Sequence, residues 1–112
     1  MKLSKILEQL SIKELTDYID VDVEGAYTSD LLSDVIANAK ESQLWITLHG
    51  HQNLVAVALL KDLAGIIITG GYKPDPTMIE KAKIEQIAVF KTDLKSFEIS
   101  GKLYQLLNKN ES

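Results

Sequence analysis

Four short stretches of this 112-residue chain carry the residues that could do chemistry. They are Thr28-Ser29-Asp30, His49 to Asn53, Thr69-Gly70-Gly71-Tyr72 and Lys91-Thr92-Asp93. Paired glycines make a turn whose backbone N–H groups can hold an anion. Hydroxyl and carboxylate side chains beside such a turn could orient the ligand. On that reasoning Ser29, Asp30, His51, Asn53, Thr69, Gly70 and Gly71 are the candidate ligand-binding residues. Ser29, Asp30, Asn53, Asp75 and Asp93 also suit helix N-caps, so capping is the competing explanation for each of them.

Sharper chemistries do not assemble. Gly65 and Gly70 have the glycine spacing of a P-loop, but Gly71-Tyr72 follows where Lys and Ser or Thr are required. No GxGxxG occurs. His49 and His51 lie two apart with no carboxylate clustered beside them, so no metal site is expected. A Ser29–His51–Asp93 triad can be drawn on paper, but Ser29 has no nucleophile-elbow context. Asp30 and Asp34 share a helix face, which a solvated surface with one cap explains. Trp45 sits in a strand and reads as core or interface rather than as a stacking platform.

The elements that must position these residues alternate between strand and helix. Gly65 to Ile68 is apolar on both faces, as a buried parallel strand is. Asp75 and Pro76 then start a helix as N-cap and first helical residue, running to about Ile84. Leu3 to Leu10 repeats Leu and Ile at helical spacing. Ser11 to Asp22 is ambiguous and leads into a strand over Val21–Tyr27. A helix follows over Leu31–Ala39 with Leu32, Val35, Ile36 and Ala39 inward, then the polar turn Lys40–Gln43 and a strand over Leu44–Leu48. Asn53 is placed to cap a helix over Leu54–Leu63 that is almost wholly apolar. A partner chain or a neighbouring helix could cover its second face. Ile87–Phe90 reads as another strand. Thr92-Asp93 caps a last helix over Leu94–Leu107, with Leu94, Phe97, Gly101 and Tyr104 on one stripe. Asn108–Ser112 is a polar tail. Strands and helices alternating at this spacing predict βαβ units and a mostly parallel sheet. Ligands of such a sheet bind outside the carboxyl ends of its strands, where all four stretches fall.

Composition narrows the function. The length suits one domain, 1–112. A net charge of −4 argues against a surface for nucleic acid or anionic lipid. All 12 basic residues are Lys, so bidentate Arg contacts to phosphate or guanine are unavailable. The chain has no Cys, which removes disulfides and thiolate chemistry. The amphipathic N-terminus is not a signal peptide, and the apolar run Leu54–Leu60 is too short to span a bilayer. A cytoplasmic location without membrane or nucleic-acid partners is expected.

The run Ile66 to Asp75, followed by Ile79 to Leu106, resembles the DRTGG domain and the N-terminal domain of HPr kinase/phosphorylase. Gly25-Ala26-Tyr27 with Ser29 to Val35, and Leu44 to Thr47 before His51 and Asn53, are similar to the small stand-alone members. The resemblance covers nearly the whole chain. It implies a three-layer α/β/α domain with a four- to five-stranded sheet and no catalytic activity or cofactor of its own. Such domains are often dimeric and often appended to regulatory CBS pairs or to enzymes. HPr kinase keeps its P-loop in a separate domain, so kinase activity is not carried over. The Asp-Arg of the family name falls where this chain has His51-Gln52, which removes any anion role for that Arg. The resulting expectation is a non-catalytic regulatory or adaptor domain, homodimeric, sensing a small ligand or docking on a partner enzyme. The alternative is a nucleotide- or phosphate-binding module acting through Thr69-Gly70-Gly71.

Overall fold

A computed structural model describes residues 1–108 of the chain. In order come α1 (Leu3–Gln9), β1 (Lys13–Glu14), β2 (Gly25–Thr28), α2 (Leu32–Asn38) and β3 (Gln43–Thr47). Then come α3 (Asn53–Lys61), β4 (Gly65–Ile68), α4 (Pro76–Glu85), β5 (Val89–Lys91) and α5 (Ser96–Asn108). The strands form one sheet in the order β1-β5-β4-β3-β2. Strands β2 to β5 are mutually parallel, and β1 runs antiparallel along β5. The expected α/β class and mostly parallel sheet are therefore observed.

Both faces of this sheet are covered. Trp45, Ile66, Ile68 and Val89 pack with Val35 of α2, Val55 and Ala58 of α3, and Met78 and Ala82 of α4. On the other face Leu44, Ile46, Ile67 and Phe90 pack with Leu3 and Ile6 of α1 and Ile99 and Leu103 of α5. Strands β2 to β5 lie side by side in chain order, so crossovers of one hand put α2, α3 and α4 on one side. Helices α3 and α4 end on residues in the left-handed region, Asp62 (φ 52) and Gln86 (φ 58), whose N–H groups close the last turns. Helix α1 is capped from a distance. The Ser4 N–H and hydroxyl both donate to the Asp20 carboxylate, at 2.8 and 2.7 Å. These bonds hold the Asp20 carboxyl below the ordinary carboxylate range.

Several expected boundaries shift, each for a local reason. The strand expected at Val21–Tyr27 is Gly25–Thr28. The preceding residues pair instead with the N-terminus, through Leu3 N–H to Val21 O and Val23 N–H to Met1 O. The strand expected at Ile87–Phe90 is Val89–Lys91, because the Ile87 N–H closes α4 on Ala82 O. Ile36 of α2 points outward, 43% exposed. Helix α3 is flanked by α2 and α4 and leaves Leu59 and Leu60 exposed at its end, so neighbouring helices supply the second cover. In α5 two stripes share the helical period, and the aliphatic one, Ile99, Leu103 and Leu106, is buried. The stripe read from the sequence faces outward at Phe97, 90% exposed, and Tyr104, 72% exposed. The expected polar tail lies, beyond Asn108, outside the described residues.

Candidate functional site

Because β2 to β5 are parallel, their carboxyl ends share one edge, and each strand finishes on or next to a threonine: Thr28, Thr47, Thr69 and Thr92. These hydroxyls tie the edge together. The Thr47 Oγ1 donates to Asp30 Oδ1 at 2.8 Å. The Thr69 and Ser96 hydroxyls bond at 2.8 Å, and those of Thr28 and Ser100 at 2.7 Å. The Thr92 Oγ1 accepts from Leu94 N–H. Among the described residues no buried side-chain N or O lacks a partner. The edge is thus pre-formed, with most of its polar groups turned on one another.

The paired glycines behave as their turn requires, and differently from an anion nest. Gly70 and Gly71 have φ of 70° and 73°, the region that favours glycine. Both amides, however, are already used. The Gly70 N–H donates to Leu94 O at 2.7 Å, and the Gly71 N–H to Thr92 O at 3.0 Å. Thr69 is buried. The turn locks β4 to the segment before α5, and the amides expected to hold an anion are spent inside the fold.

The open volume of this edge lies next door, beyond the end of β3 and between the starts of α2 and α3. It is a cleft of about 330 Å³ whose polar lining is Asp30, Ser33, Thr47, His49, His51 and Asn53. Leu31, Leu32, Leu54 and Trp45 supply its apolar wall. A volume near 300 Å³ is at the small end of small-molecule sites. Asp30 is fixed from below: its Oδ1 accepts both the Thr47 hydroxyl and the Leu48 N–H, at 2.8 and 3.0 Å. The His49 N–H returns to Thr47 Oγ1 at 3.2 Å. The imidazoles of His49 and His51 stack at 5.8 Å with 24° between planes. His51 Nδ1 lies 3.2 Å from Asp75 Oδ2, joining the loop before α3 to the start of α4. The two loops meet at Gly50, whose carbonyl accepts the Asp75 N–H at 2.8 Å. A Cβ on Gly50 would lie 2.5 Å from Pro74 Cα, so only glycine fits that contact.

The structure therefore gathers Asp30, His51 and Asn53 around one space and leaves Ser29, Thr69, Gly70 and Gly71 outside its lining. The Ser29 hydroxyl accepts from Leu31 N–H, and its carbonyl accepts the Trp45 indole N–H at 2.8 Å. Asn53 is the first residue of α3, one past its N-cap Gln52, and Asp75, at the N-cap of α4, makes no side-chain cap bond. Asp34 sits apart, hydrogen-bonded by Tyr27 and Asn38. The Ser29 hydroxyl, then these two donors, hold its carboxyl below the ordinary range. The drawn triad is not assembled, since the carboxylate on His51 is Asp75, not Asp93. Among the described residues no three His, Cys, Asp or Glu side chains come together as a metal site. Among the described residues no helix is long and apolar enough to cross a membrane. The sequence reading missed Thr47, His49 and the cleft side of Trp45. For Trp45 and Thr47 the signal was their spacing of two within β3, which keeps strand residues on one face.

No curated protein matches the chain. Among solved structures, it is similar to the CBS and DRTGG domains of the regulatory region of Clostridium perfringens pyrophosphatase, complexed with the activator diadenosine tetraphosphate. The TM-score is 0.68 at 21% identity, over 90% of this chain and 44% of that one. At that identity the likeness shows the fold. The chain spans less than half the length of that regulatory region. The DRTGG domain family model matches residues 27–106, from β2 through α5 and including every residue of the cleft. That match takes in most of the chain, which belongs to the DRTGG domain family.

Proposed function

We propose that this domain is a non-catalytic, cytoplasmic regulatory module that senses a small ligand in the cleft between α2 and α3. The cleft itself carries the reading. It is concave, pre-formed and largely apolar, with Asp30, Thr47, His49, His51 and Asn53 converging on it. The hydroxyl and carboxylate that meet there, Thr47 and Asp30, bond at 2.8 Å with Thr47 fully buried, as a tie between β3 and the loop before α2. The solved neighbour, a regulatory region complexed with a nucleotide activator, supports a sensing role for the architecture. Ligand closure here would act on the starts of α2 and α3 together, and through Gly50 and Asp75 on the start of α4. A partner enzyme or an attached domain reading that helical layer would register the ligand.

The proposal includes a homodimer. Two outward apolar surfaces could serve it: Leu59 and Leu60 at the end of α3, and Phe97 with Tyr104 on α5. Light scattering at tens of micromolar, a range in which a weak interface shows, tests this. A monomer there removes the homodimer from the reading.

The sensing role is tested by a thermal-shift screen of adenine and guanine nucleotides, dinucleotides and acetyl phosphate. A ligand held at about a hundred times its dissociation constant adds roughly 2.7 kcal/mol. A dose-dependent rise in melting temperature is expected. No rise from any compound, together with a stable dimer, would replace sensing by docking on a partner protein.

A further inference from the structure

We infer that two copies of the chain pair through the open edge of the sheet, β2 antiparallel to β2, with the two α5 helices side by side above them. This rests on the homodimer of the proposed function and names its interface. The two edges of the sheet differ. At one, β1 is two residues long, and both, Lys13 and Glu14, are charged and exposed. A very short, charged strand is how an edge is closed to further pairing. At the other, β2 (Gly25–Thr28) carries no charge and no proline and pairs with β3 alone. The Ser29 N–H donates inward to Ile46 O at 3.1 Å. Backbone groups alternate sides along a strand, so those of Ala26 and Thr28 face away from β3. Among the described residues no other segment's backbone bonds to them.

The surface beside this edge carries aromatics and almost no charge. The Thr28 and Ser100 hydroxyls bond at 2.7 Å, so α5 lies along the edge. A groove of about 530 Å³ opens there, lined by Gly25, Ala26 and Thr28 of β2 and by Ser100 and Tyr104 of α5. Its one charged side chain is Glu24, just before the strand. Phe97, Ser100 and Tyr104 recur at helical spacing, so they share one side of α5. Phe97 is the most exposed large hydrophobic of the described residues, and Tyr104 is mostly exposed too. Glu98 and Lys102 are spaced to another side of the helix. Aromatic residues with few charges among them are the composition of an interface core.

The occupant is a second copy because the edge is self-complementary. A strand edge presents donors and acceptors in alternation, and a two-fold axis normal to the sheet sets each against its complement. The register that places Ala26 opposite Thr28 of the second copy uses the outward N–H and C=O of both residues on both strands. The same axis keeps the layers aligned, so the aromatics of α5 are covered together with the edge. Four residues make a short ladder, and Phe97 and Tyr104 supply the apolar area that it lacks. A head-to-tail arrangement would need β1 as the partner of β2, and the charges of Lys13 and Glu14 oppose it. The two-fold pairing leaves no open β2 edge in either copy and closes the assembly.

The test is sedimentation equilibrium of the intact chain beside three variants, with hydrogen exchange on the native chain. Ala26→Pro removes an outward N–H, a change that edge strands tolerate. Tyr104→Lys replaces an exposed aromatic and brings like charges together across the axis. Each is expected to weaken the dimer at least about tenfold, as loss of an interface anchor does. Leu60→Lys, on the rival apolar surface at the end of α3, is expected to leave it unchanged. In the native chain the Ala26 and Thr28 amides should exchange more slowly as rising concentration drives dimerisation, a readout that helix contacts alone would not move. A dimer undiminished by either Ala26→Pro or Tyr104→Lys, or weakened by Leu60→Lys, overturns this interface and leaves the homodimer standing. Exchange at Ala26 and Thr28 that is independent of dimerisation overturns the strand pairing. A monomer at tens of micromolar overturns the interface and the homodimer together. Should Ala26→Pro not fold, Tyr104→Lys and the exchange measurement decide.

Discussion

Two glycine-to-alanine substitutions should move stability in opposite directions, and the reason for each is local. At Gly50 an added Cβ would stand 2.5 Å from Pro74 Cα and 3.0 Å from Pro74 Cβ. The first of these is backbone, so the loops before α3 and α4 must part. That movement strains the 2.8 Å bond from Asp75 N–H to Gly50 O and the 3.2 Å contact of His51 with Asp75. Overpacking of this kind costs about 1–3 kcal/mol. Unfolding entropy is about 2.1 cal/mol/K per residue, so over 112 residues each kcal/mol shifts melting by about 4 °C. Gly50→Ala should therefore melt roughly 4–13 °C lower. Gly101 is the control. It lies inside α5, and a Cβ there meets nothing within 4 Å. Replacing a mid-helix glycine with alanine gains about 0.5–1 kcal/mol, so Gly101→Ala should melt about 2–4 °C higher. Differential scanning calorimetry of both variants beside the native chain gives the answer. An unchanged or raised melting temperature for Gly50→Ala would refute the close approach of the two loops. A fall for Gly101→Ala that grows with protein concentration would put a second chain against that face.

Three further outcomes are expected. Gly71→Val should lower melting, since φ is 73° and its Cβ would sit 3.2 Å from Asp93 Oδ1; unchanged melting would remove the turn assignment. Ile67→Ala, a fully buried residue of the central strand β4, should cost about 2–5 kcal/mol by urea unfolding, and a cost under 1 kcal/mol would contradict its burial. The Asp20 carboxyl is held low by Ser4, so its contribution is present above the ordinary value of 3.8 and is lost as pH falls below it. Melting curves of the native chain and Asp20→Asn should accordingly differ at neutral pH and converge in acid, as pH falls from 3.8 through the lower folded value; a difference that stays undiminished in strong acid would contradict the Ser4 bonds as its source.

The parts of this fold that were legible in sequence are those where one signal had no rival. Gly65–Ile68 is bounded by glycines and apolar throughout, and it is a strand at those residues. Gly70-Gly71 marks a turn of positive φ, and Asp75-Pro76 opens α4. The errors fall where two physical solutions fit the same letters. In α5 both Phe97–Tyr104 and Ile99–Leu106 satisfy the helical period, and periodicity cannot say which stripe meets the sheet. Asp30 satisfies both a cap and a cross-strand tie, and the tie to Thr47 depends on β2 and β3 being neighbours. The amides of Gly70 and Gly71 looked free because their acceptors, Thr92 and Leu94, lie more than twenty residues away in the chain. The cleft was half legible: its loop residues carry polar chemistry, but its wall is ordinary strand and helix sequence.

The chain holds a single Trp, and its indole N–H, bonded to Ser29 O, borders the cleft. That gives one unambiguous resonance in a ¹⁵N–¹H spectrum, and a titration with whichever compound raises the melting temperature would locate its site directly. A ligand in the cleft should move the Trp45 indole and the His49, His51 and Asn53 amides saturably and leave the Gly70 and Gly71 amides in place. Movement of Gly70 and Gly71 with an unmoved Trp45 indole would contradict the cleft and return the site to the glycine turn.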